Sequence, residues 1–238
     1  MGNYIGKWVS IIVCFATASV FAQTTKVDCE PGLKFVKENQ PNKAIDFFLN
    51  LEKTKGPSAE LYFYLGNSYM DLQQYDNALM AFSNAILNNK QYKEAIYNRA
   101  NIYYYSKDYQ KALVDFDTYI TLDTLKSGAF YDRANVYFKL EKYDKAEKDF
   151  LRAARLRPKN EAIFFDLGNT YFKMEKWEEA LRSYDKAIEL NSAISGFYFN
   201  RALVEYNLGF PEDACADFQN ALELGDGEAA GYIKELCH

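Results

Sequence analysis

Apolar residues recur along this chain at spacings of three, four and seven, the period of a helix with one buried face. They come in pairs of runs separated by a short polar break. In the stretch SGAFYDRANVYFKLEKYDKAEKDFLRAARLRPKN (127–160), Phe130 to Leu140 forms one run and Tyr143 to Leu156 the next, split by Glu141 and Lys142. The pattern predicts two amphipathic helices joined by a tight turn. Pro158 ends the second, because proline lacks the N–H and clashes with the preceding turn. Ala134, Ala146 and Ala153 let the backbones approach, and Phe130, Tyr137 and Phe150 fill the space between them.

The same 34-residue pattern fills 59–92, 93–126, 127–160, 161–194 and 195–228 without a gap. Numbering each copy from 1, position 20 is Ala78, Ala112, Ala146, Ala180 and Ala214, and position 24 is Phe82, Phe116, Phe150, Tyr184 and Phe218. A worn copy occupies 25–58, with Pro31 at position 7, so its first helix should be short and begin near that proline. Position 11 is Tyr69, Tyr103, Tyr137 and Tyr171, then Glu205, which points to a more solvated end. Pro211 replaces an aromatic residue at position 17 of the last copy, where a different turn is expected. Gly225-Asp226-Gly227 closes the array, and 229–238 should be a capping helix with Ala229, Tyr232, Ile233 and Leu236 inward.

The pattern of aromatic, Leu-Gly, Tyr, Ala, Phe, Ala and Pro at these positions resembles the tetratricopeptide repeat (TPR) family over roughly 25–228. The resemblance implies an all-α, right-handed superhelical solenoid of helix-turn-helix repeats. It also implies that the first helices line a concave face used to bind proteins or peptides.

An internal correlation links positions 7 and 23. Arg99, Arg133 and Arg201 occupy position 7 in the copies that carry Asp115, Asp149 and Asp217 at position 23. The other two copies have Leu65 and Leu167 with Ala81 and Ser183. A salt bridge between the two helices of one repeat explains this, since a half-buried guanidinium suits a bidentate carboxylate. Duplication of two repeat subtypes is the alternative. Under either explanation these residues are structural.

The first 22 residues differ from the rest. Lys7, an uncharged run from Trp8 to Phe21, and Val20-Phe21-Ala22 have the layout of a secretory signal peptide cleaved after Ala22. Uncleaved, the segment would be the chain's only membrane contact. Export to a periplasm or secretory space places the remaining thiols in an oxidising compartment. Cys215 and Cys237 are then expected either as a disulfide on the C-terminal cap or as two small buried apolar residues; Cys29 is the odd thiol.

The chain has 238 residues, 49% hydrophobic and 26% charged, with a net charge of −5. An acidic chain argues against nucleic acid as partner. The single histidine is His238, and the sequence has no phosphate loop and no spaced Cys/His set. No cofactor, metal or small-molecule substrate is expected, and the chain does not read as an enzyme.

In the resembled family, positions 2, 5, 6, 9, 12 and 13 face the groove. Position 5 is Phe63, Tyr97, Tyr131, Phe165 and Phe199, and position 9 is Asn67, Asn101, Asn135 and Asn169, then Leu203. Asparagine offers an acceptor and two donors, so a row of amides between rings could hold the backbone of an extended segment. Alternatively the amides bond only to neighbouring helices. Family members that grip a C-terminal carboxylate use lysines and an arginine beside two asparagines. Here Asn67 and Asn98 match, but Phe63, Gly128 and Asp132 stand where the cations belong. Asp132 and Asp166 should repel a carboxylate. With Glu60 and Glu94 they favour a neutral or basic segment, moderated by Lys139 and Lys173. The sequence thus implies an exported scaffold or chaperone-like adaptor, with a structural subunit that docks through its convex face or ends as the alternative.

Overall fold

The computed structural model describes residues 28–237; the expected leader at 1–22 lies outside them. Thirteen helices follow one another: α1 (Glu30–Lys37), α2 (Pro41–Lys55), α3 (Ala59–Asp71), α4 (Tyr75–Asn88), α5 (Lys93–Tyr105), α6 (Tyr109–Leu122), α7 (Ser127–Lys139), α8 (Tyr143–Leu156), α9 (Glu161–Lys173), α10 (Trp177–Leu190), α11 (Ser195–Leu208), α12 (Pro211–Glu223) and α13 (Ala229–Leu236). There is no strand among the described residues. The architecture is an all-α, right-handed superhelical solenoid of helix pairs.

Each turn between paired helices uses one left-handed residue: Asn39 (φ 54°), Gln73 (58°), Lys107 (64°), Glu141 (57°), Glu175 (57°) and Gly209 (84°). That residue folds the chain back so that freed carbonyls are capped. Glu141 N–H donates to Phe138 O at 2.9 Å and Lys142 N–H to Tyr137 O at 2.9 Å. The last pair keeps the same turn, with Phe210 N–H donating to Glu205 O at 2.9 Å. The different turn expected from Pro211 does not occur. Pro211 is the first residue of α12, where no intrahelical N–H bond is required.

Between the helices of each pair lies one ring shielded completely from solvent: Phe48, Phe82, Phe116, Phe150, Tyr184 or Phe218. The first helix rests directly on it. A Cβ added at Gly66 would stand 2.6 Å from the Phe82 ring, and at Gly168 it would stand 2.6 Å from the Tyr184 ring, well inside van der Waals contact.

Contact explains the Arg–Asp correlation. Arg99 donates to both oxygens of Asp115 at 2.7 Å, Arg133 to Asp149 at 2.7 and 2.8 Å, and Arg201 to Asp217 at 2.6 and 2.9 Å. Each guanidinium also reaches the second helix of the preceding repeat: Arg99 to Ser83 at 3.1 Å, Arg133 to Asp117 at 2.7 Å, and Arg201 to Asp185 at 2.7 Å. These third partners all sit at position 25. Where position 7 is Leu65 or Leu167, position 25 of the preceding copy is Leu49 or Leu151, in the same apolar cluster. The junctions between repeats are therefore of two kinds, apolar where leucines meet and arginine-mediated elsewhere, the latter ionic at Asp117 and Asp185 and a neutral hydrogen bond at Ser83.

Glu205 is not at a solvated end. It is 9% exposed, and its Oε2 atom has no hydrogen-bond partner. It sits on α11 where α12 packs against that helix, with its Oε1 atom 3.7 Å from Arg201 Nε. Burial, aided by Asp217 and opposed by Arg201, pushes its carboxyl up to about 7.

At the C-terminal end α13 packs Ala229, Ile233 and Leu236 against α11 and α12. Tyr232 stacks on Phe218 at 5.0 Å while keeping one edge in solvent. Cys215 and Cys237 are joined as a disulfide, with Cα atoms 5.7 Å apart and a sequence separation of 22. In the chain-entropy account such a loop contributes about 3 kcal/mol. Cys29 is a buried free thiol, pushed up to about 11 chiefly by burial.

Two stability results follow. Arg133→Leu alone leaves Asp149 buried without its cation and should cost about 3 kcal/mol or more in urea denaturation. Combining it with Asp117→Leu and Asp149→Ser copies the Leu167–Leu151–Ser183 junction and should return stability to within about 1 kcal/mol of wild type. Glu205 keeps its proton when folded at pH values where the unfolded chain has released it. Its contribution to stability is therefore fully present below the unfolded value of 4.5 and is lost as pH rises through about 7. Glu205→Gln should be more stable than wild type at pH 8, by roughly 1–3 kcal/mol, and nearly level with it near pH 5.

Candidate functional site

Contacts between neighbouring first helices build the inner face. α5 touches α7, α7 touches α9, and α9 touches α11, whereas no pair of second helices touches as extensively. The rings at position 5 form the floor. Each leans on the buried ring of its own repeat: Phe63 on Phe82 at 6.1 Å, Tyr97 on Phe116 at 6.0 Å, Tyr131 on Phe150 at 5.7 Å, Phe165 on Tyr184 at 5.8 Å, and Phe199 on Phe218 at 5.6 Å. All five are half-buried, so they belong to the core and present one edge to the groove.

Tyr97 donates its hydroxyl hydrogen bond to Asp132, and Tyr131 donates to Asp166 at 2.5 Å. Both bonds cross from position 5 of one repeat to position 6 of the next. Where the ring is Phe63 or Phe165, the next repeat carries Asn98 or Asn200 instead. This second coupled pair was present in the sequence but hidden, because it spans two copies. It also changes the role of the two aspartates. They are half-buried acceptors, and desolvation raises both carboxyls above the ordinary range.

The four asparagines at position 9 are half-buried along the groove, and they divide their bonds. Asn67 accepts from Asn98 at 2.9 Å. Asn169 accepts from the Tyr184 hydroxyl at 2.8 Å and donates to Asp166 at 3.4 Å. Asn101 and Asn135 lie beside the Tyr97 and Tyr131 hydroxyls. An amide has more capacity than one such bond uses, so the row serves the helix neighbours and still offers groups to the groove.

Asn67, Asn98, Asn101 and Tyr97 meet in one cleft of about 420 Å³, completed by Met70, Asp71, Tyr105 and Asp132. Phe63, Asn135, Asn169, Tyr131, Phe165 and Phe199 lie outside it, along α3, α7, α9 and α11. Tyr105 and Asp71 are residues that the reading of positions 5 and 9 missed. Position 13 carries them here and Lys139 and Lys173 in the next two repeats, so the groove is acidic at α3–α5 and has cations at α7–α9. No group of three or more metal-binding side chains occurs among the described residues.

Tetratricopeptide repeat models match residues 63–128, 128–160 and 162–193, together more than half of the chain. The chain belongs to the tetratricopeptide repeat family. Similar solved structures agree in fold. One is the C-terminal part of a TPR repeat-containing protein from Cytophaga hutchinsonii, 19% identical, with a TM-score of 0.73 over 87% of this chain and 83% of that one. Another is YrrB, described as a TPR protein with an unusual peptide-binding site, 20% identical, with a TM-score of 0.70 over 88% of this chain and 100% of that one. A third is MamA from Desulfovibrio magneticus RS-1, 20% identical, with a TM-score of 0.67 over 70% of this chain and 94% of that one. No curated protein sequence matches the chain.

The cross-repeat bond has a measurable consequence. Tyr131→Phe strips Asp166 of its hydroxyl donor and should cost about 1–2 kcal/mol in urea denaturation. Adding Asp166→Asn recreates the Phe–Asn pairing found at Phe165 and Asn200. It should recover most of the loss, giving a non-additive double-mutant cycle.

Proposed function

We propose that this chain is an exported, non-catalytic scaffold or chaperone-like adaptor that holds an extended protein segment in its concave groove. The observation that carries the proposal is the cleft shared by Asn67, Asn98, Asn101 and Tyr97, where amides with spare bonding capacity stand beside ring edges. An extended segment exposes an N–H and a C=O at each residue, which such amides can pair, and its side chains can pack on the rings. Export is supported by the leader-like residues 1–22 and by the Cys215–Cys237 disulfide, a bond that persists in oxidising compartments. No described helix is long and apolar enough to cross a membrane. The acidic balance disfavours nucleic acid as the partner.

One observation favours a second reading, a structural subunit docked through its outer face. Met80 and Leu87 on α4 are 67% and 76% exposed, and Val114 on α6 is 65% exposed. The corresponding positions of α8 and α10 are charged: Lys148 and Arg182 at position 22, Arg155 and Glu189 at position 29.

A pull-down from the native envelope or secretory fraction separates the two, with wild type beside Asn101→Ala/Asn135→Ala of verified helicity. The groove assignment predicts a protein retained by wild type and lost, at least tenfold, by the double variant. Equal retention by both would move the interface to the outer face or the ends.

A further inference from the structure

The groove is not uniform, and its N-terminal cleft has a specific chemistry. Its lining includes two carboxylates, Asp71 and Asp132, and three amides, with no cation. Among the described residues no lysine or arginine lies within salt-bridge distance of either carboxylate. Asp132 accepts one bond, from Tyr97, and is otherwise uncompensated. A half-buried carboxylate with a single donor and no counter-charge either takes up a proton or is stabilised by a cation brought to it. The Tyr105 ring in the cleft lining meets the Tyr104 ring at 5.3 Å, yet it is 79% exposed and most of its aromatic surface is open to solvent. Guanidinium and ammonium groups both bind such faces, and guanidinium also stacks flat on them.

A second cleft of about 390 Å³ adjoins the first and shares Met70 and Tyr105 with it; Tyr75, Ile102 and Ser106 complete it. It has no charged residue in its lining, and Tyr75 is 49% exposed. The two clefts thus place an anionic slot and an apolar slot side by side on α3, α4 and α5, with α7 contributing Asp132. Farther along the groove cations join the carboxylates. Lys139 acts on Asp166, and Lys173 follows at the same position of the next repeat.

We propose that the paired clefts are the specificity site of the groove, taking from the bound segment a lysine or arginine side chain against Asp132, Asp71 and the Tyr105 ring, and the neighbouring apolar side chain against Met70, Ile102 and Tyr75. The proposal rests on the groove-binding function and narrows its ligand to an extended segment with a basic residue next to an apolar one. The basic side chain supplies the charge that Asp132 lacks, and its donors match the amide oxygens around it. The adjacent residue buries apolar surface that is now wet.

The test uses an array of N-acetylated, C-amidated nonapeptides in which the two central residues run through all types in a Ser/Ala background. It is probed with wild type, with Asp132→Asn/Tyr97→Phe, and with Asp71→Asn. The first variant copies the Phe–Asn pairing already present at Phe63 and Asn98, and the second changes an exposed side chain, so both are expected to fold. The expected result is that wild type selects basic–apolar pairs at least tenfold over Ser–Ala. Each variant should lose several-fold of the preference for the basic residue over Ser, and salt should weaken that preference in the wild type. Peptide binding by wild type without a basic preference would overturn the proposal and leave the groove function standing, as would a preference unchanged in both variants. A wild type that binds no peptide on the array would overturn both.

Discussion

The structure depends on how position 7 of each repeat meets the repeat before it. A two-helix unit cannot bury both of its faces alone, so its stability comes from the junction with its neighbour. At three junctions that contact is a guanidinium that ties Asp115, Asp149 or Asp217 in its own repeat to Ser83, Asp117 or Asp185 in the preceding one. At two others it is leucine against leucine. The arginine-mediated junctions add geometry to cohesion, because a planar fork bonded in two directions resists sliding of one helix pair over the next. Fixed junctions keep the first helices in register, and the groove is a surface that exists only while they stay so.

The same principle runs through the inner face. Tyr97 and Tyr131 are core rings whose hydroxyls cross to Asp132 and Asp166 of the following repeat. A groove floor bonded from repeat to repeat is preformed, so a bound segment need not order it. Asp132 is the exception to this internal satisfaction. It has a donor but no cation, and it stands where Asp71 and the exposed Tyr105 ring converge. That local imbalance of charge distinguishes one end of the groove from the other.

Much of the fold was legible because the 34-residue spacing constrains every copy at once: Ala at position 20 and an aromatic ring at position 24 each recur where two helices must approach. The Arg–Asp pairing was legible because both partners lie in one copy. Its third partner, at position 25 of the preceding copy, was not, and neither was the Tyr–Asp bond across repeats. A pattern read copy by copy cannot show a contact that spans two of them. Glu205 misled for another reason. A charged residue ordinarily marks solvent, but the packing of α12 over α11 decides burial there, and the carboxyl gives up its charge near neutrality instead. Pro211 misled because its effect depends on helix position, and at the first residue of α12 it is benign. The repeat register places positions 5 and 9 on the first helices, yet how each amide divides its bonds depends on the side chains that face it from neighbouring helices.

The central functional claim is that a partner lies in the groove and its adjoining clefts and not on the outer face of the second helices. Hydroxyl-radical footprinting of the protein with its captured partner tests this most directly, because exposed reactive side chains mark both faces: Tyr75 and Tyr105 at the clefts, Met80 and Leu87 on the outer side of α4. The account predicts that the partner protects Tyr75 and Tyr105 while Met80 and Leu87 oxidise as in the free protein. Protection of Met80 and Leu87 with Tyr75 and Tyr105 still reactive would contradict it.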